Sequence, residues 1–297
     1  MRRLSGDRGA VAVLVALLMV PLLACTALVV DIGAAYVERR QLQNAADAGA
    51  LAIAQDCAAA RAACNTMSAT ATSMATANAG SSASAVAVRV GTTVTVTASA
   101  TVNYLFAPVI GVSSKSVSAK SIATWGAPVS GTSVLPITFS WCAFKAQTGG
   151  GVPTPTATSL RFSKSDGTTC TGPSGNVVPG GFGWLKPVTG TNCVVTSSIS
   201  GILMSDPGSS SPCSDTFFTA QLNKTVLLPI FDKSGGTGSG AWYQVYGYAA
   251  FRLTAYKFQG NNNWVEGYFL QFLAPSDAFT YGTSTVDLGA RVAKLTA

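Results

Sequence analysis

Histidine is absent from all 297 residues. That absence excludes Ser-His-Asp and Cys-His hydrolases, zincin-type metal sites and histidine proton relays, because each depends on an imidazole. Charge is sparse as well, at 10% of residues. The ten Asp and two Glu are scattered, and no close pair offers the carboxylate geometry of a glycosidase. Net charge is +7, yet three of the basic side chains (Arg2, Arg3 and Arg8) stand in the first eight residues and the rest are dispersed. Nucleic-acid binding wants a dense basic stripe, so no nucleic-acid partner is expected. A diffuse positive balance fits solubility beside an anionic envelope. A second long apolar run is also missing, which excludes a polytopic transporter. What remains is chemistry built on carboxylate, lysine, cysteine or backbone alone. No catalytic residue, cofactor or metal ligand is nominated, and the chain reads as a non-enzyme.

Ala, Gly, Ser and Thr are abundant, a profile that suits an exported protein better than a cytosolic enzyme. Gly9 to Val30 reads GAVAVLVALLMVPLLACTALVV, 22 residues without a charge. As a helix this run is about 33 Å long, enough to cross a hydrocarbon core of about 30 Å. Pro21 lies mid-span, where membrane helices tolerate a kink. Arginines precede the run and Asp31 follows it, so the positive-inside rule predicts a cytoplasmic N-terminus, with the remainder outside the bacterial cytoplasmic membrane. A cleaved signal peptide would have a shorter core and a small-residue exit, and Val29-Val30-Asp31-Ile32-Gly33 offers none. A retained single-pass anchor is expected.

The next segment, DIGAAYVERRQLQNAADAGALAIAQDCAAA, is rich in helix formers and free of proline, so the helix is expected to continue to about Asp56. Leu42, Ala45, Ala46, Gly49, Ala52 and Ile53 form a narrow apolar stripe of mostly small residues along it. Two readings stand: the stripe lies on the chain's own domain, or it packs closely against the helix of another subunit.

These residues carry a resemblance. The arginine-flanked RGAVAVLVALL, a proline within the span, and VDIGAAYVERRQLQNAADAGALAIA resemble the N-terminal segment of the TadE/TadG-like proteins of bacterial Flp (tight-adherence) pilus assembly, over roughly residues 5 to 56. PGGFGWL and VLLPIFD, further along, look like larger members of the group. The resemblance implies an accessory component of a pilus machine, with other pilus-assembly membrane proteins or pseudopilins as partners. Pilins place a glutamate five residues after a processed glycine, whereas here Leu14 stands in that place after Gly9. Prepilin-type cleavage is therefore not expected, and the uncleaved anchor resembles the TadG side of the group.

Residues 66 to 85 are nearly all small and polar, and read equally as frayed helix or linker. From Val86 the period changes to two: Val86, Val88 and Val90 alternate with small or basic residues, and TTVTVTASATV continues, predicting half-buried strands. Asn103 to Ile110 reads as a short helix or turn closed by Gly111, and KSVSAKSIATW as a returning strand, with a break between modules near Gly126 to Ser133. Beyond it, AWYQVYGYAAFRLTAYKF and WVEGYFLQFL predict a hairpin turning over Gln259 to Asn263, with aromatics on both faces. The stretch containing PGGFGWL and SDPGSSSP reads as long ordered loops. The expected class is α+β: a basic tail (1–8), a transmembrane helix (9–30), a juxtamembrane helix (31–65), a small α+β module (66–125) and a β-rich, disulfide-stapled exported domain (126–297).

Cys25 falls in the span; Cys57, Cys64, Cys142, Cys170, Cys193 and Cys213 fall beyond it, an even number suited to disulfides in an oxidising compartment. The last four suggest two bridges, with three pairings open. Cys57 and Cys64 would be about 10.5 Å apart along an unbroken helix, beyond the roughly 7 Å limit of a disulfide. If they pair, the helix ends or folds back near Asp56. Asp232-Lys233-Ser234-Gly235 has a faint likeness to the D-x-S-x-S metal site of von Willebrand A-type domains, with Gly236 in place of the second serine, against the plainer reading of a strand-to-turn boundary. GGFGWL does not fit a phosphate loop. A second function in view is a surface adhesin or wall-binding protein, with Trp242, Tyr246, Tyr248 and Trp264 forming a face for a cell-wall or surface ligand.

Overall fold

The computed structural model describes residues 8–154, 158–164, 166–189, 193–208, 211–260, 262–274, 278–282 and 286–296. The basic tail as far as Asp7, Ser209 and Ser210 of SDPGSSSP, and Asn261 of the expected hairpin turn lie outside the described residues. The architecture is mixed α+β, with a long N-terminal helix followed by strands and short helices. The chain divides into two units: Met1–Ile53 with Ala62–Ala123 and Leu295–Ala297, and Ala54–Arg61 with Thr124–Lys294.

Helix α1 (Arg8–Ala58) runs unbroken for 51 residues and passes straight through Pro21. It is the only helix among the described residues long and apolar enough to cross a membrane by length and composition, and residues 11–26 of its apolar part are all exposed. An apolar helix exposed on every side suits a single membrane crossing rather than a protein core. It ends where Ala60 takes a left-handed φ of 52° and a short 3-10 turn follows over Ala62–Asn65.

The small-residue run after it is helical: α2 (Met67–Ala79) buries Ala71, Ala75 and Ala79, spaced four apart on one face, and stops at Gly80 with φ 84°. No large side chain is needed, because alanines let helix and sheet approach closely. Strands β1 (Ser84–Val90) and β2 (Thr93–Asn103) form an antiparallel hairpin across Gly91, whose φ is 57°. β3 (Ser114–Ser133) is its next neighbour in the sheet.

The strands are those expected, and the structure settles which face of each is inward. Val94, Val96, Ala98 and Ala100 of β2 point inward, and the register pairs Ala87 with Val96 and Ala85 with Ala98. That register is set by the two-residue turn, and it puts Val86, Val88 and Val90 opposite Thr97, Thr95 and Thr93 on the outer face, where all three valines are exposed.

β3 runs unbroken through Gly126 to Ser133, where a break was expected, and the boundary between the two units falls within the same strand, between Ala123 and Thr124. Gly126 serves close approach instead: a Cβ there would lie 2.5 Å from the carbonyl oxygen of Gly282. One at Gly131 would fall within the ring of Phe279.

The second unit is built on a six-strand path in the spatial order Leu160–Ser163 (β5), Trp264–Leu270 (β13), Trp242–Lys257 (β12), Thr225–Gly235 (β11), Ile137–Ser140 (β4), Phe182–Trp184 (β8). β4 and β11 run parallel; the other pairs on the path are antiparallel. The expected hairpin is β12 with β13, in register from Ala250↔Leu270 to Lys257↔Trp264. Both faces of this sheet are covered. One side carries an aromatic core of Phe139, Phe144, Phe162, Phe251 and Phe269, with Trp184 and Phe218 beyond. The helix α3 (Trp141–Thr148) contributes to it and is capped by Ser140, whose Oγ accepts from the Ala143 N–H at 3.0 Å. On the other side, Leu227, Val245, Tyr248 and Ala250 meet Val195, Ala274, Phe279, Ala290 and Val292. PGGFGWL, expected as loop, is a core strand: Phe182 and Trp184 are buried, and Gly183 lies beneath the Tyr243 ring, where a Cβ would clash at 2.4 Å.

Candidate functional site at the exit of the apolar helix

Asp31 follows the last residue of the uncharged run. It is buried, 5% exposed, although its neighbours Val30 and Ile32 are open. Its carboxylate accepts from three successive backbone N–H groups: Leu105 to Oδ1 at 2.8 Å, Phe106 to Oδ2 at 3.0 Å, and Ala107 to Oδ2 at 2.7 Å. These amides open a 3-10 turn over Ala107–Ile110, whose first N–H groups have no partner within the turn. The carboxylate supplies that partner from 74 to 76 residues away.

The turn is closed on itself. The Tyr104 N–H donates to the Ser113 carbonyl at 3.0 Å, the Val112 N–H to Ala107 at 3.1 Å, and Gly111 takes φ 88°. It was expected as a short helix or turn ending at Gly111. Its surface was not: Leu105 is 75% exposed, Val109 90% and Ile110 75%. Nothing local in the sequence links Asp31 to this turn, and the only signal was a lone carboxylate directly after an apolar run.

The α1 stripe lies further along the same helix. Leu42, Ala45, Ala46, Gly49 and Ile53 are buried and Ala52 is half-buried. The position of a Cβ on Gly49 would be 3.4 Å from Val96 of β2 and 3.7 Å from the backbone of Ala71 on α2. Of the two readings of the stripe, the structure shows the one in which it lies on the chain's own module, because α2 and the sheet already occupy the space a partner helix would need. Gln43 extends this docking, its amide donating to the Lys120 carbonyl at 3.4 Å and to Asp47 at 2.9 Å.

The chain holds three disulfides. Cys142 joins Cys170, Cys193 joins Cys213, and Cys57 and Cys64 are also disulfide-bonded; Cys25 is the one free cysteine. α1 ends at Ala58, close to the end expected near Asp56.

Asp232 is not at a strand end. It is buried inside β11, and its Oδ2 accepts from the N–H of Ser174 at 3.1 Å and from the Ser174 hydroxyl, fixing the turn between β6 (Thr169–Thr171) and β7 (Val177–Pro179). Among the described residues no group of three metal-ligating side chains forms. Tyr246 sits nearby, its hydroxyl pKa raised by burial and secondarily by the Asp232 charge.

The four aromatics of the ligand-face reading do not present free rings. Tyr248 is buried and shares a hydrogen bond of 2.8 Å with Ser197. Trp242 covers Gly235, Tyr246 meets Trp141 edge to face at 5.4 Å, and Arg161 stands 4.1 Å over Trp264.

The fold and site thus define a protein with, among the described residues, one apolar, membrane-compatible helix whose C-terminal half is built into a small α+β module. Residues 9–89, somewhat over a quarter of the chain, match the family model described as putative Flp pilus-assembly TadE/G-like. The N-terminal segment is therefore TadE/G-like, and the match supports involvement in Flp pilus assembly and interaction with other pilus components. No curated protein matches the chain. No solved structure matches it either.

Proposed function

We propose that this chain is a non-enzymatic, single-pass membrane accessory protein for assembly of a Flp/Tad-type pilus. Its N-terminus lies in the cytoplasm, and the chain beyond the apolar run lies outside the bacterial cytoplasmic membrane. The observation that carries the reading is the coincidence of the TadE/G-like match with α1, α2 and most of β1, which make up the N-terminal part of the first unit. Orientation is supported by the arginines ahead of the apolar run and by disulfides confined to residues beyond it, since such bonds persist in oxidising compartments. The non-enzymatic part rests on the missing histidine and on the structural duties of Asp31 and Asp232, the two buried carboxylates among the described residues.

Other pilus-assembly membrane proteins or pseudopilins are the partners in this reading. With the α1 stripe covered, the exposed apolar surfaces that could meet them include the apolar helix over residues 11–30 and the outward valines of β1. The test is the amount of pilin sheared from cells lacking this chain, against parent and complemented cells. A sharp fall restored by complementation is the expected result; unchanged pilin would end the assembly role.

A further inference from the structure

The turn Tyr104–Val112 is rigid, apolar on its outside and tied to one point on α1. Leu105, Phe106, Val109, Ile110 and Val112 all stand exposed on it. Five large apolar side chains within eight residues form a patch that water opposes and that no element of the described chain covers. The latch fixes where the patch lies. Three of its backbone amides sit about one hydrogen-bond length from the carboxylate of Asp31, one residue beyond the uncharged run. The turn is therefore held at the level where α1 leaves its apolar stretch. Ala27, one helical turn back on the face of Asp31, is half-buried, whereas the rest of residues 11–30 are exposed. Cover on that face thus extends one turn into the apolar stretch.

We infer that this turn is a second membrane contact: it seats its five apolar side chains in the interfacial region of the leaflet where α1 exits, and Asp31 is the latch that sets its depth and angle. The inference rests on the reading of α1 as a membrane span. The occupant is the bilayer, because continuity with the span places lipid beside the turn whatever other partner is present. Exposed Lys115, three residues past Val112, suits an anionic headgroup, and Tyr104 at the foot of the turn suits the interface. Burying the turn leaves few amides unpaired. The Asp31 carboxylate and the closing backbone bonds already satisfy those of Tyr104, Leu105, Phe106, Ala107 and Val112, which is the condition for non-helical backbone to approach hydrocarbon. A rigid turn tethered to a spanning helix adds little ordering cost on insertion. It gives the first unit one fixed orientation on the membrane instead of free rotation about the helix axis.

The test uses the full chain with Cys25→Ser, in which the six remaining cysteines are disulfide-bonded and do not react with a thiol label. Ile110→Cys and, separately, Val109→Cys are labelled with an environment-sensitive fluorophore. Both sites are open, so neither substitution removes core packing. Leu18→Cys, near the middle of the apolar run, is labelled in parallel and read with lipids carrying a nitroxide deep in the acyl chain. The proteins are placed in vesicles of phosphatidylethanolamine and phosphatidylglycerol, at about three to one to keep the surface anionic. The expected result is about a twofold loss of emission at 109 and 110 when the lipids carry a shallow nitroxide, with little quenching by aqueous iodide, as for interfacial side chains. Quenching at Leu18 with iodide-accessible, nitroxide-insensitive labels at 109 and 110 overturns the inference and leaves the span standing. No nitroxide quenching at Leu18 overturns the span itself, and the inference with it.

Discussion

Asp31 and Ala107 meet at 2.7 Å, carboxylate to backbone N–H, across 76 residues of sequence. Removing the carboxylate leaves the amides of Leu105, Phe106 and Ala107 without their acceptor. Asp31→Ala is expected to raise hydrogen exchange at these three amides by about tenfold or more, with little change in the β12–β13 hairpin. Asp31→Asn keeps one acceptor oxygen and should fall between. Equal protection in all three proteins would show that the turn holds itself without the latch.

Gly49 lies where α1 is closest to α2 and the sheet. A single methyl fits, because a Cβ there meets Val96 at 3.4 Å and Ala71 at 3.7 Å. Gly49→Ala should be neutral or slightly stabilising, since alanine lowers the backbone entropy cost of helix formation by about 0.5–1 kcal/mol. Gly49→Leu has no room and should cost about 1–3 kcal/mol by overpacking. The check is the denaturant midpoint of each variant in detergent. A Leu variant of parental stability that still loses sheared pilin would place the contact between subunits instead.

The outward valines of β1 offer the converse pair of readouts. Val88 is 56% exposed and stands opposite Thr95. Val88→Thr keeps the β-branched shape, so stability should stay within about 0.5 kcal/mol. If this face meets another pilus component, sheared pilin should nevertheless fall, most clearly in the Val86→Thr/Val88→Thr double variant. Unchanged pilin would leave the other exposed apolar surfaces, the apolar helix among them, for partners.

What could be read from the chain alone follows the range of the interactions involved. The apolar run, the outward extension of α1 and the β12–β13 hairpin are written in neighbouring residues, through length, helix propensity and period-two alternation. The direction of β1 was hidden, because valines every second residue say that one face differs from the other but not which faces inward. The turn at Gly91 and the apolar side of β2 decide that. The alanines of α2 carry no amphipathic signal at all, and the segment is helical because close packing wants nothing larger. PGGFGWL looked like loop because glycine weakens strand propensity, yet Gly183 lies in a strand only since Tyr243 needs its missing side chain. The Asp31 latch and the partners of Asp232 depend on contacts 58 or more residues apart and leave no local trace.

Cys142 and Cys170 tie α3 to β6 across 28 residues. In the chain-entropy account, losing that closure costs about 3–4 kcal/mol. Replacing both cysteines with alanine should therefore lower the denaturant midpoint of the second unit, and the turn around Ser174 should become the first site of proteolytic nicking. Protection there equal to the parent would mean that the Asp232–Ser174 hydrogen bonds suffice to hold it.

Tyr248 links stability to alkaline pH. Burial among Leu227, Phe279 and Ala290 pushes its hydroxyl pKa up to about 12, outweighing the hydrogen bond with Ser197, which works in the opposite direction. The unfolded chain releases this proton near pH 10, whereas the folded chain holds it for about two units more. The stabilising effect is thus complete below pH 10 and is lost as pH rises from there to about 12, by about 2–3 kcal/mol in all. Tyr248→Phe removes the titrating group and leaves the Ser197 hydroxyl without its partner, so it should cost about 1 kcal/mol at neutral pH. Between pH 10 and 12 the parent should then lose stability faster than the variant, and the gap between them should close or reverse. Denaturant midpoints of both proteins across that interval measure the difference directly, since every other titrating group contributes equally to the two. Parallel curves would mean that water reaches the phenol and that its ionisation is no costlier folded than unfolded.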